Sequence, residues 1–213
     1  MTGTEIGPPR RDTYRHGDLR RALLEAGTEL ARGGGPEAVV LREATRRAGV
    51  APSAAYRHFA DRRALLDAVC SAAQSALAVA IEAELAGLSR GGDSADGARA
   101  RLRAVGTGYL RFAQAEPGLF RTAFSASDNL RSAASPARAG GGLTPFQLLG
   151  AALDGLVEAG VLPRERRPGA EFLAWSAVHG LAMLLIDGPL RGLDHAQAQD
   201  VGRRLVDMVE RGL

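Results

Sequence analysis

Six arginines fall within residues 41–63 (Arg42, Arg46, Arg47, Arg57, Arg62 and Arg63) against only two acids, Glu43 and Asp61. Tyr56, Arg57 and His58 are consecutive in this stretch, so a phenol, a guanidinium and an imidazole belong to one short segment. Such groups donate hydrogen bonds to phosphate oxygens and to base edges, and arginine does so bidentately. The chemistry on offer is recognition of a nucleic acid rather than bond-making. No paired carboxylates, nucleophile elbow or metal-spaced His/Cys/Asp cluster stands elsewhere in the sequence. The expectation is therefore no catalytic residue, no metal, no cofactor and no enzyme. An arginine-studded hairpin is also compatible with a plain solvated face, and the elements that hold it decide between the two.

Those elements are short helices. The pattern predicts one over residues 41–48 and another opening at Pro52, which suits a first helical turn because its missing N–H would go unpaired there. Between them Gly49-Val50 makes a tight turn, glycine permitting the left-handed backbone that ends one helix and redirects the chain. Ala44, Ala48, Val50 and Ala55 are small or apolar where two helices must approach closely. The arrangement is a helix-turn-helix. Upstream, Leu19, Ala22, Leu23, Ala26 and Leu30 recur at helical spacing, from a cap near Asp18 to the breaker Gly33-Gly34-Gly35-Pro36. Downstream, a fourth helix starts after Asp61 and runs to about residue 85. At about 1.5 Å per residue it spans roughly 37 Å, enough to join two domains.

Charge points the same way. Net charge is +3 over 213 residues, and all 27 basic residues are arginine. Residues 1–63 hold 12 Arg against 8 acids, whereas residues 64–213 hold 15 against 16, so the positive excess belongs to the N-terminal third. Hydrophobic residues make up 46% of the chain and aromatics only 5%; alanine and leucine dominate, which favours an all-α fold. Cys70 is the sole cysteine, so an internal disulfide is excluded; inert packing is its simpler role, a redox sensor the other. The first residues lack the apolar stretch of a signal peptide, and residues 172–186, the most apolar segment, are too short to span a bilayer. A cytoplasmic protein with no membrane partner is expected.

The division expected is a flexible N-terminal arm over 1–15, a helix-turn-helix head over 16–63, and a helical regulatory and dimerisation body over 64–213. Composition places loops at 89–97 and 126–142. Body helices are expected near 98–115, 118–124, 144–159, 169–187 and 195–211, the last opened by an Asp194…Gln197 capping box.

Four runs together are more specific than any helix-turn-helix alone: Leu41-Arg42-Glu43, Ala48-Gly49-Val50, Tyr56-Arg57-His58-Phe59 and Arg62-Arg63-Ala64-Leu65-Leu66. On them residues 23–66 resemble the DNA-binding domain of the TetR family of bacterial regulators, and residues 14–20 are similar to a variant of the family's lead-in. The resemblance implies that residues 52–58, opened by Pro52, form a recognition helix in the major groove of duplex DNA. It implies base-facing positions at Ser53, Ala54 and Arg57, and backbone-holding positions at Tyr56, His58 and Arg62. Arg42 would meet a phosphate or an adjacent base. Arg57 is the expected main reader, since an arginine fork on guanine O6 and N7 discriminates by roughly 1–3 kcal/mol. Phe59 and Leu65 are expected in the core. The chain also departs from the family: Val40 and Ala51 stand where Ser or Thr caps are usual, and Ala44-Thr45 replaces a bulky-apolar-then-Ala pair. A marginally stable head and a weakly discriminating reader follow from those departures.

Trp175-Ser176-Ala177-Val178-His179-Gly180, with Tyr109-Leu110-Arg111-Phe112 and Glu116-Pro117-Gly118-Leu119-Phe120, resembles a C-terminal domain type of the same family named for its Trp, His and Gly. This implies a symmetric homodimer whose recognition helices read a near-palindromic operator one turn apart, about 34–36 Å. Periodicity adds its own reading. Residues 172–186 are apolar almost all round, and the last helix carries Ala198, Val201, Leu205, Met208 and Val209 on one face. Two such helices from each protomer would make a four-helix bundle. Candidates for a small-molecule effector site are Tyr109, Phe112, Phe120, Phe124, Phe146, Trp175, His179 and Met183. At helical spacing each is equally at home in an ordinary core, and His179 would serve there as a hydrogen-bonded core histidine. The function expected is a ligand-responsive repressor in which an effector moves the long helix and releases DNA. The alternative is a dimeric small-molecule-binding protein with weak or vestigial DNA binding.

Overall fold

A computed structural model describes residues 16–88, 94–125 and 142–213. The expected arm at 1–15, and most of the expected loops at 89–97 and 126–142, lie outside these residues. Helix α1 (His16–Gly34) buries one face, including Leu23, Leu30 and Ala31, and ends at the glycine run. A single 3-10 turn (Pro36–Ala38) then leads to the buried Val39. Short helices α2 (Leu41–Arg47) and α3 (Pro52–Ala55) follow, and then α4 (Arg62–Ala86). The carboxylate of Asp61 accepts from the Ala64 N–H at 2.8 Å, so α4 begins at a satisfied cap.

Leu65, Val69, Ala73, Leu77 and Ile81 on α4 recur at every fourth position and are all fully buried. This row packs on α1 at its N-terminal end and on the body beyond. The expected boundary between residues 63 and 64 therefore falls inside one continuous helix. By length and composition α4, rather than residues 172–186, is the helix apolar enough to cross a membrane; here its row of side chains is core.

The body comprises α5 (Ala95–Ala115), α6 (Pro117–Ser125), α7 (Pro145–Glu158), α8 (Ala170–Ile186) and α9 (His195–Gly212). No strand occurs among the described residues. Helix α5 starts earlier than the expected residue 98 because Ser94 caps it, its hydroxyl accepting from the Gly97 N–H. Reciprocal capping boxes open α7 (Thr144 with Gln147) and α9 (Asp194 with Gln197). Helix α5 is central, touching α4, α6, α7, α8 and α9.

Head and body also meet at a second point. Gly118, in the first turn of α6, is pressed against the C-terminal turn of α1. A Cβ there would lie 2.3 Å from the carbonyl oxygens of Ala31 and Arg32. Beside it the Arg32 Nε donates to Glu116 Oε2 at 2.9 Å, and Arg32 is also paired with Glu29. On the other side of α6, the Gln74 amide donates to the Ala123 carbonyl at 2.8 Å and the buried Cys70 thiol donates to the Thr122 carbonyl at 3.0 Å. Cys70 is thus packed and occupied, as its simpler reading required.

Helix propensity alone would make Gly118→Ala stabilising by about 1 kcal/mol. Forcing a methyl against two backbone oxygens costs about 1–3 kcal/mol and exceeds it. The expected outcome is net destabilisation, read as a lower urea midpoint at unchanged m-value.

Candidate nucleic-acid interface

Local chemistry explains how the helix-turn-helix is held. Helix α2 ends in a Schellman turn: the Gly49 N–H donates to Arg46 O at 3.3 Å, and the Val50 N–H to Thr45 O at 3.1 Å. Gly49 has φ +68°, a conformation that costs a residue with a Cβ far more than glycine. The Thr45 hydroxyl, buried where the head is smallest, is satisfied by donating to the Arg42 carbonyl at 2.6 Å. Val40 and Ala51 provide no side-chain cap to α2 or α3. Ala55 and Phe59 are buried and anchor the segment from beneath, with the Arg20 guanidinium lying 5.2 Å from the Phe59 ring centre.

The recognition segment is shorter than expected as regular helix. α3 ends at Ala55 rather than at residue 58, and the chain continues through turn hydrogen bonds, His58 N–H to Ala55 O and Phe59 N–H to Ala55 O, both 2.9 Å. Pro52, Ser53, Tyr56 and Arg57 are exposed, Tyr56 at 60%, while Ala54 and His58 are half-buried.

The arginines divide into two groups. Arg46 and Arg47 both donate to Glu43, at 2.7–2.9 Å and 3.2 Å, and the hydrogen bonds from Arg46 and then Arg47 bring the Glu43 carboxyl down to about 2. Arg62 folds back: its Nε donates to Val39 O and its terminal nitrogen to Pro36 O, both at 2.8 Å, with Glu37 nearby at 3.5 Å. Arg62 thereby ties the start of α4 to the α1–α2 connection. Arg42 and Arg57 are exposed and take no ion pair or hydrogen bond with any described residue through their side chains.

The body holds a second feature. Tyr109 (α5) shares a hydrogen bond with His179 Nδ1 at 2.8 Å and accepts from the Trp175 indole N–H at 3.0 Å, linking two residues one turn apart on α8. Around them Phe120 and Phe124 stack on or edge against His179 at 5.5 and 5.0 Å. Burial pushes the Tyr109 phenol up and the His179 imidazole down, disfavouring the charged form of each.

Next to this cluster an apolar cavity opens among α4, α5, α6, α7, α8 and α9, with a void of about 710 Å³ including its mouth. Tyr109, Phe124, Phe146 and Trp175 line it, as proposed from sequence. Phe112, Phe120, His179 and Met183 do not: Phe112 and Phe120 are buried core, and His179 stands behind the wall, hydrogen-bonded to Tyr109 and packed against Phe124. Sequence reasoning missed Gln74, Val105, Leu149, Val178 and Val206 in the wall. Gln74 was detectable, being polar at the buried phase of α4 between Ala73 and Leu77.

A surface helix-turn-helix on a rigid helical head, joined by a long helix to a helical body, defines a helix-turn-helix regulator of DNA. Comparison makes this specific. The family model for the bacterial regulatory proteins of the tetR family matches residues 23–69, and that for the tetracyclin repressor-like C-terminal domain matches residues 102–209. The chain belongs to the TetR family of transcriptional regulators, a family of DNA-binding proteins rather than enzymes. Its fold is similar to a protein of unknown function from Rhodococcus sp. RHA1 (26% identity, 95% of this chain and 99% of that one, TM-score 0.72). It is also similar to a TetR family regulator from Marinobacter aquaeolei (23%, 91% and 94%, TM-score 0.60) and to PfmR from Thermus thermophilus (23%, 90% and 95%, TM-score 0.57). No curated protein matches the chain.

The His179 environment generates a pH prediction. Its folded-state pKa lies below the unfolded value near 6.5, so the unfolded chain takes up the proton first. Stability from this residue is complete above about pH 6.5 and declines as pH falls from there toward the folded value. Thermal melts across that window should fall more steeply for the wild type than for His179→Gln, which keeps an acceptor for Tyr109 but does not titrate.

Proposed function

We propose that this chain is a cytoplasmic, ligand-responsive repressor that binds a near-palindromic operator as a homodimer. Residues 16–63 form the DNA-binding head and residues 64–213 the sensing and dimerising body. One observation carries the DNA assignment: Arg42 stands exposed on α2 and Arg57 in the turn that follows α3, with no internal partner among the described residues competing for either guanidinium. Arg57 reads a base edge, with Pro52, Ser53 and Ala54 small enough to let the segment seat deeply. Arg42, Tyr56 and His58 hold the backbone. Arg62 contributes to the backbone contacts while bracing the connection from which Arg42 projects.

Dimerisation is supported by an uncovered apolar face. On α8, Phe172, Leu173 and Leu184 are exposed around the small residues Ser176 and Gly180, and on α9 Met208 is exposed. A contiguous patch of this kind is costly in water. A two-fold copy of the same face covers it with a four-helix bundle, and places the two heads for half-sites about 34–36 Å apart. Repression follows by steric exclusion of polymerase. An effector in the body shifts the equilibrium only by its difference in affinity between the DNA-competent and released states.

Operators selected from a random duplex pool provide the test. Arg57→Ala should relax preference at one base pair per half-site by about 1–3 kcal/mol. Arg42→Ala should weaken all duplexes alike and reduce the salt slope by about one. Unchanged binding in both variants means the site is elsewhere. Separately, Leu173→Glu combined with Met208→Glu should sediment as a monomer and lose most operator affinity; a dimer that persists places the interface on another face.

A further inference from the structure

One residue that lines the cavity in the body has a buried polar atom whose bonding is incomplete. Gln74 lines it and is only 3% exposed. The Gln74 Nε2 is committed to the Ala123 carbonyl, which fixes the amide's orientation, and Oε1 is buried with no hydrogen-bond partner among the described residues. The other polar groups of the wall are spent. The Trp175 N–H is given to Tyr109, and the Tyr109 hydroxyl is engaged by His179 Nδ1. No charged side chain of the described residues lines the cavity. The wall therefore presents an acceptor, no free donor and no countercharge. A buried acceptor left without a partner is unfavourable, and an occupant that carries a donor removes that penalty.

We propose that this cavity binds an uncharged, largely apolar molecule bearing one hydrogen-bond donor, a hydroxyl or an amide N–H, and that Gln74 Oε1 accepts it. This rests on reading the body as the sensing domain. Gln74 is well placed for more than affinity. It sits on α4, which enters the head, and grips α6, whose first turn abuts α1. A ligand on Oε1 therefore acts on the same planar amide that fixes α4 against α6, and Gln74 becomes the residue through which occupancy is read.

Trp175 is the only tryptophan in the chain and lines the cavity, so its fluorescence reports binding directly. Three probes of matched length separate the chemistry: n-octanol, which carries a donor; heptyl methyl ether, which does not; and octanoate, which is an anion. Titrated into the full-length protein without DNA, octanol should bind about tenfold more tightly than the ether, the gain of one buried hydrogen bond. Octanoate should bind weakest. In Gln74→Leu the difference between alcohol and ether should vanish while ether binding persists. The wild-type comparison stands alone should that variant fail to fold. Equal binding of alcohol and ether, preference for octanoate, or no response to any probe overturns the proposal. Release of a selected operator by octanol is measured apart from these titrations. A donor preference without release keeps the cavity assignment and removes the ligand-responsive repressor reading, whereas release without a donor preference does the reverse.

Discussion

One inclined row of apolar side chains on α4 is the constraint from which the rest follows. Residues spaced by four drift around a helix, so the two ends of the row face different neighbours. Near its start, Leu65 and Val69 pack so closely on α1 that a Cβ at Gly27 would sit 2.9 Å from Val69 Cγ2. Near its end, Ile81 lies under α5 where a Cβ at Gly108 would sit 2.7 Å from the Ile81 Cα. Head and body are thus built on opposite ends of one element. Interiors packed at this density transmit strain rather than absorb it.

How much of this is readable in the sequence depends on the range of the interaction. Features made within one helical turn were legible: the left-handed Gly49, the Asp61 cap, the Asp194–Gln197 box and the helical face ending at Gly33. Features made by distant segments were not. Arg62 has the type and position of a phosphate contact, yet its guanidinium is held by carbonyls at residues 36 and 39, which only the folded α1–α2 connection brings near. Likewise regular helix after Pro52 ends at Ala55, sooner than the local pattern suggests. The cavity is the extreme case. It is defined by where six helices fail to fill space, so picking residues by aromatic type selected Phe112 and Phe120 from the core and passed over the aliphatic wall.

Electrostatics narrow the recognition surface further than net charge suggests. The head's positive excess looks broad in the sequence, but Glu43 absorbs two guanidinium groups and the loop carbonyls engage a third. The long-range field that steers an anionic partner survives such pairing only in part. What remains for direct contact is concentrated at Arg42 and Arg57, on either side of the Gly49 turn. Ser53 and Ala54 permit close approach but carry little base-reading capacity. Within the proposed dimer, specificity is therefore gained by repeating a thin reader twice at a fixed separation, which makes that separation the quantity worth controlling.

Control of separation requires that the head turn as a unit instead of deforming. Three contacts make it rigid: Arg62 clamps α4 to the α1–α2 connection, Arg20 lies over the Phe59 ring, and Ala55 is sealed in the head's core. The body touches this unit along α4 and again where Gly118 meets the last carbonyls of α1, a contact with no room for a methyl group. On the proposed reading, these two attachments would deliver a change in the angle between α4 and α6 as rotation of the whole head. Gln74, bonded across those two helices at 2.8 Å beside the cavity, shares that junction with the Cys70 thiol on the Thr122 carbonyl.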